Sequence, residues 1–178
     1  MAILIDRERD FKGGKYDIPD AVGNFTKNDV QAIITAYEKP AIYKLLGVAE
    51  GDKIIAYLAA GKTPVNADYN KILDPFTEDN ANVHGGIAIS LGMLEYLKGF
   101  IFYEYNKNAL KTSQAGVTNA DAETATIQGV NSTMRFAENK FNDVLGTADA
   151  IQWYCMKNST AFPDFNGKRI VVKASNIL

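Results

Sequence analysis

Chemistry needs placed groups, and this sequence offers few of them. His84 is its single histidine, so two imidazoles cannot share a metal ion within one chain. It stands beside Gly85-Gly86, just ahead of an apolar run, where capping or packing is expected rather than ligation or base catalysis. Cys155, the only cysteine, falls on the apolar stripe of a predicted helix and reads as a small buried hydrophobe. A nucleophile needs a neighbouring base, and the sequence places none beside it. The stretch "DPFTEDN", Asp74 to Asn80, gathers three acids. It lacks the alternating ligands, central glycine and closing glutamate of an EF-hand loop, so a solvated acidic turn is expected. Phosphate-loop, dinucleotide and nucleophile-elbow glycine patterns are absent. The expectation is a protein that is not an enzyme, with no catalytic, cofactor-binding or metal site.

The totals are those of one ordinary globular domain. With 178 residues, 47% hydrophobic and 22% charged, the chain can bury a real core. A formal net charge of -2 gives no global basic excess to draw the surface towards nucleic acid or anionic lipid. One cysteine excludes an internal disulfide and fits a reducing compartment. The N-terminal apolar run in "MAILIDRERD" is too short for a signal-peptide core. Glu95, Lys98 and Glu104 argue against a membrane span in the most apolar region, Ile87 to Tyr105. The sequons at Asn24, Asn131 and Asn158 are read as chance or as capping chemistry, and the protein as intracellular.

The elements that must position any site are mostly helices. Residues 1–25 read as an extended N-terminal arm docked through Ile3, Ile5, Phe11 and Ile18. Thr26 with Asp29 three residues on resembles a capping box opening a first helix, followed by Val30, Ile33, Ile34 and Tyr37 at helical spacing. Pro40 predicts a break or kink, with a new helix "PAIYKLLG" closed by Gly47. "GDKIIAYLAAGK" reads as a shorter helix carrying Ile54, Ile55 and Leu58 on one side. A turn-rich stretch with a Tyr69, Ile72, Leu73 cluster comes next. Ile87 to Asn108 reads as the strongest helix, apolar on nearly all faces, with Gly92 and Gly99 either letting a neighbouring helix approach or tolerated with no packing role. A final long helix spans Asn131 to Asn158, with Asn131 or Ser132 as cap and a stripe from Met134 to Cys155. The chain ends in a turn at Phe162-Pro163 and a strand-like run, Ile170-Val171-Val172. The fold class is mainly α: a helical bundle, residues 26–166, carrying an inserted extended arm at 113–129, a tail at 167–178, and room for a small β element formed by the arms.

The order of parts resembles a known group. It comprises the "AIYKLLG" helix end, the "Y-x-x-I-L-D-P-F" cluster, the helix "LGMLEYLKGFIFYEYN", and "GVTNADAETAT" ahead of a long helix. An aromatic-Pro-x-Phe ending completes it. Over about residues 26 to 166 these resemble head–tail connector, or neck ring, proteins of tailed bacteriophages, a type common in phages of Bacteroidetes and in crAss-like phages. The motifs are patterns of aromatics and turns and carry no chemical signature. The resemblance implies a homo-oligomeric ring, usually a dodecamer, beneath the portal protein in the virion neck, assembled in the host cytoplasm. It also implies a tail or further ring protein as partner, DNA passing through the lumen without specific binding, and no membrane. A helical assembly chaperone or binding module that leaves before the particle matures is the alternative.

Within that reading, the polar stretch Ser113 to Gly129 gains a purpose. Extended, its seventeen residues reach at most about 55 to 60 Å, enough to lie on a neighbouring subunit. Val117 and Thr118 tolerate strand geometry, Asn119 and Glu123 keep the stretch soluble, and Ile127 adds an apolar contact; these five are the expected subunit-interface residues. A flexible surface loop with no partner is the competing reading. Lys168, Arg169, Ile170, Val171 and Val172 are the expected portal or neighbour contact, by strand addition, against pairing with the N-terminal "AILI" of the same subunit. Lys107 and Lys111, with Lys168 and Arg169, are candidates for lumen or portal contacts, against ordinary solvated positions.

Overall fold

The computed structural model describes residues 3–18, 27–79, 86–114, 130–168 and 170, with the side chains of 27–29, 109–114 and 130–133 excepted. Of the residues described with their side chains 63% are helical and 6% lie in strands, so the fold is a helical bundle with a small β element. In chain order the elements are α1 (Arg7–Asp10), α2 (Lys27–Leu46), α3 (Val48–Ala59), α4 (Ala67–Leu73), β1 (Phe76–Asp79), β2 (Ile87–Ser90), α5 (Met93–Gln114), α6 (Val130–Asp143) and α7 (Leu145–Lys157).

The central helix is α5, which packs against α2, α6 and α7. Its apolar residues on nearly every side are used: Tyr96, Leu97 and Ile101 are fully buried, and Phe100, Phe102 and Tyr103 nearly so. Gly99 is the point of closest approach to the C-terminal helices. A Cβ there would sit 2.6 Å from Val144 Cγ2, nearer than real Cβ contacts come. Gly92, its expected partner on one helix face, instead precedes the helix. Its φ of +87° is a left-handed turn, and a Cβ would strike the Leu73 carbonyl oxygen at 2.6 Å.

Three expectations are corrected. First, α2 runs through Pro40 without a break. Proline inside a helix costs about 3 kcal/mol. Beyond it, however, Ala41, Ile42, Leu45 and Leu46 are all fully buried, and Val30 and Ile34 anchor the near side. Each large aliphatic contributes about 1.5–3 kcal/mol on burial, so packing outweighs the lost backbone bond. Secondly, the front of the predicted strong helix is a strand. Ile87–Ser90 pairs antiparallel with Phe76–Asp79 in the register Phe76↔Ser90, Thr77↔Ile89, Glu78↔Ala88, Asp79↔Ile87. The expected acidic turn is therefore half strand, and among the described residues the β element is this hairpin and not a product of the arms. Thirdly, the last long helix is two, divided at Val144, where local helix propensity is poor (Asn142, Asp143, Val144, Gly146) and the Val144 side chain presses on Gly99. The expected stripe survives: Ala137, Phe141, Val144, Ala148, Ile151 and Cys155 are buried. The first of the two, α6, begins at Val130, ahead of the expected caps Asn131 and Ser132. Thr26 lies outside the described residues.

A helix ends with carbonyls that have no partner in the next turn, and α2 shows how the tail solves this. Gly47 N–H donates to Tyr43 O at 2.8 Å, Lys168 N–H to Lys44 O at 3.1 Å, and Asn166 N–H to Leu46 O at 3.0 Å. Gln152 Nε2, from α7, donates to Leu45 O at 2.8 Å and to Lys168 O at 3.0 Å. The chain after α7 thus lies extended across the end of α2. Glycine is required for this fit, because a Cβ on Gly167 would stand 2.0 Å from Leu45 O.

The N-terminal arm docks as expected through Ile5, Phe11 and Ile18, all buried, with Ile3 half-buried, although it also winds into the short helix α1.

Candidate functional site

The hairpin presents the most concentrated exposed apolar surface among the described residues. Pleating sends alternate β2 side chains to opposite faces. Ala88 and Ser90 turn inward and are buried, while Ile87 is 47% exposed and Ile89 58%. Leu91, the next outward position, is 47% exposed. Thr77 and Asp79 face Ile89 and Ile87 across the strands and are themselves exposed, giving the row a polar flank.

This row is held firmly. Leu91 N–H donates to Thr147 Oγ1 on α7 at 3.2 Å, and the Phe76 ring lies 5.4 Å from that of Tyr154. Glu78 joins Lys157 on α7 at 3.0 Å and Lys71 on α4 at 3.5 Å. Burial by itself would raise the Glu78 carboxyl, but the two ammonium groups outweigh it and hold the group below its ordinary range. A strand fixed by two helices offers its apolar face at little ordering cost to whatever binds it.

Sequence reading missed the row because "IAIS" was absorbed into the helix behind it. A signal was present: β-branched residues alternating with small ones, bounded by Gly86 and Gly92.

Polar groups inside the fold serve the architecture. Glu50 is fully buried; Tyr69 Oη donates to it at 2.8 Å, the Asp164 amide at 3.3 Å, and Lys53 Nζ stands 3.5 Å away. Tyr154 Oη donates to Asp68 at 2.8 Å and Tyr57 Oη to Asn70 at 2.9 Å. Burial first, then the carboxylate each one faces, pushes the Tyr69 and Tyr154 hydroxyls up, so they act as donors and not as bases. These bonds tie α3, α4, α7 and the tail together. Cys155 is fully buried, and burial, with Glu50 nearby, pushes its thiol up, which keeps it protonated and unreactive at neutral pH. Among the described residues no three His, Cys, Asp or Glu side chains gather as a metal ion requires, and no helix is long and apolar enough to cross a membrane.

The expected contact residues divide unequally. Val117, Thr118, Asn119, Glu123 and Ile127 lie outside the described residues, as do His84, Arg169, Val171 and Val172. Lys168 and Ile170 are described, and both are engaged by their own chain. The Lys168 backbone caps α2, and the Ile170 side chain is buried in the core. Of these two, the Lys168 side chain is exposed. Lys107 pairs with Glu104 at 3.4 Å and lies over the Tyr103 ring at 5.8 Å, a solvated helix position.

In comparisons with known proteins the chain matches no family model, no curated protein and no solved structure.

Proposed function

We propose that this chain is a structural virion protein, a subunit of the oligomeric ring that joins portal to tail in a tailed bacteriophage and continues the DNA channel. The observation that carries the reading is the apolar row Ile87, Ile89 and Leu91, the clustered part of the exposed large apolar residues among the described ones, outside a well-buried core. A helical body that buries its own core and still holds out a fixed apolar strand is built to meet another protein. The order of sequence motifs, which resembles that of neck ring proteins, supports the choice of ring over other assemblies. A head-to-tail ring joins one surface of each subunit to a different surface of the next, and the row offers one such surface.

The test is direct. Light scattering after size exclusion should give a closed oligomer for the whole chain, and deletion of residues 113–129 should leave a folded monomer. An oligomer unchanged by the deletion counts against the role of that stretch. A protein absent from purified particles, yet bound to portal in infected cells, would favour the assembly-chaperone reading instead.

A further inference from the structure

Asn166–Gly167 is the only asparagine followed by glycine in the sequence, and the tail's hold on the end of α2 passes through it. Such a pair carries its own reagents. The side chain offers a carbonyl carbon, and the next backbone nitrogen, with no side chain beside it, can reach that carbon.

The structure leaves both reagents available. Asn166 is exposed, so water reaches its amide. Neither the Asn166 side chain nor Gly167 N–H makes a hydrogen bond among the described residues. What restrains the peptide is its flanks, Asn166 N–H on Leu46 O at 3.0 Å and Lys168 N–H on Lys44 O at 3.1 Å. Net hydrogen bonds in water are weak enough that opening both slows ring closure by roughly five- to 150-fold relative to the unfolded chain, without stopping it.

We propose that Asn166–Gly167 is a self-modification site whose reaction releases the tail from α2. The Gly167 nitrogen attacks Asn166 Cγ, the side-chain amide leaves with that nitrogen's proton as ammonia, and a cyclic succinimide closes. Water then opens one of its two carbonyls. One opening leaves aspartate with the ordinary chain; the other leaves isoaspartate, in which the chain runs through Cβ.

Isoaspartate adds a methylene between the two anchoring amides, and the seat has no slack for it. A Cβ on Gly167 would stand 2.0 Å from Leu45 O, and one on Gly47 would stand 3.0 Å from Asn166 N and C, so α2 and the tail already touch at backbone distance. The amides of Asn166 and Lys168 meet carbonyls spaced to match an ordinary peptide, and a longer chain misses one of them. Gln152 Nε2, which joins Leu45 O to Lys168 O, loses its second acceptor when the tail shifts. The new carboxylate also stands at the C-terminal end of a helix, where the carbonyl dipoles repel it.

The full chain tests this in mildly alkaline buffer, incubated folded and, in parallel, unfolded in urea. Mass spectrometry of the peptide holding residue 166 separates asparagine, aspartate and isoaspartate by fragmentation. Hydrogen exchange at the Lys168 amide, after return to neutral buffer without urea, reads the hold on α2. The folded chain should gain isoaspartate at 166, slowed by no more than roughly 150-fold, and its isoaspartate fraction should lose protection at Lys168. An Asn166→Asp variant, with the charge but the ordinary chain length, should keep most of that protection. A folded chain still unconverted when the slowing exceeds that limit overturns the site. Isoaspartate with Lys168 as protected as in the parent overturns the release, and equal loss in Asn166→Asp overturns chain lengthening as its cause.

Discussion

At the scale of single residues, the least replaceable positions are those where an atom more or an acceptor less has nowhere to go. Gly99 is one. An added methyl must displace Val144 and the α6–α7 junction, so Gly99→Ala should destabilise the chain by about 1–3 kcal/mol, read as a lower urea midpoint with an unchanged slope. Asp10 and Glu78 contribute to the response to acid. Burial works to raise both, but Arg9, the Asp6 amide and Lys98 outweigh it at Asp10, and Lys157 and Lys71 do so at Glu78. Both carboxyls are therefore depressed in the folded state relative to ordinary values of 3.8 and 4.5. Their stabilisation is complete above those values and is lost as pH falls through the folded ones. Urea midpoints should stay level from neutral pH down to about pH 5 and decline below about pH 4. The decline should shrink in Glu78→Gln, and a variant that declines as steeply as the parent would remove Glu78 from this account.

At the scale of elements, α2 keeps a local fault because both of its halves are anchored. Replacing the half-turn's missing donor should therefore help. Pro40→Ala is expected to raise stability by about 1–2 kcal/mol, the helix gain of about 3 kcal/mol being offset by the looser unfolded chain. Calorimetry would show a higher melting temperature; a lower one would mean that the proline ring itself packs usefully. The tail illustrates the same lesson from the other side. Its register on the end of α2 comes from amides two residues apart, Asn166 and Lys168, meeting carbonyls of a helix more than a hundred residues earlier. Nothing in "FNGKRI" alone announces that partner. The hairpin was equally hidden, since a four-residue apolar run next to a strong helix suits either geometry, and only pairing with Phe76–Asp79 decides it.

For the molecule as a whole, the predicted division is between a core that folds within one chain and surfaces that act between chains. Replacing Ile87, Ile89 and Leu91 together by serine removes no fully buried side chain, because the row faces outward and each member is about half exposed. The triple variant should keep the helical signal and melting temperature of the parent to within a few degrees, yet scatter light as a smaller species. An assembly of unchanged mass would show that the row has no part in oligomer formation. The buried acids belong to this scale too. Glu38 holds the arm and Glu50 holds α3 to α4 and the tail, across separations from nineteen to 114 residues. A charge without its distant donors would be a defect, and with them it becomes a clasp.

Periodicity and residue chemistry were sufficient to define the helical class, the docked arm through Ile5, Phe11 and Ile18, the closure of a helix at Gly47 and the burial of Cys155. These depend on neighbours a turn or two away, and such neighbours are visible in the chain itself. Tertiary structure alone decided that α2 survives its proline, that "IAIS" is a strand with an outward apolar row, that the last helix divides at Val144, and that two glutamates are clasps. Each of those outcomes is a balance between a weak local preference of about 1–3 kcal/mol and burial or hydrogen bonding contributed from far along the chain. The distant partner wins wherever it is present, and the chain read residue by residue does not say where it will be.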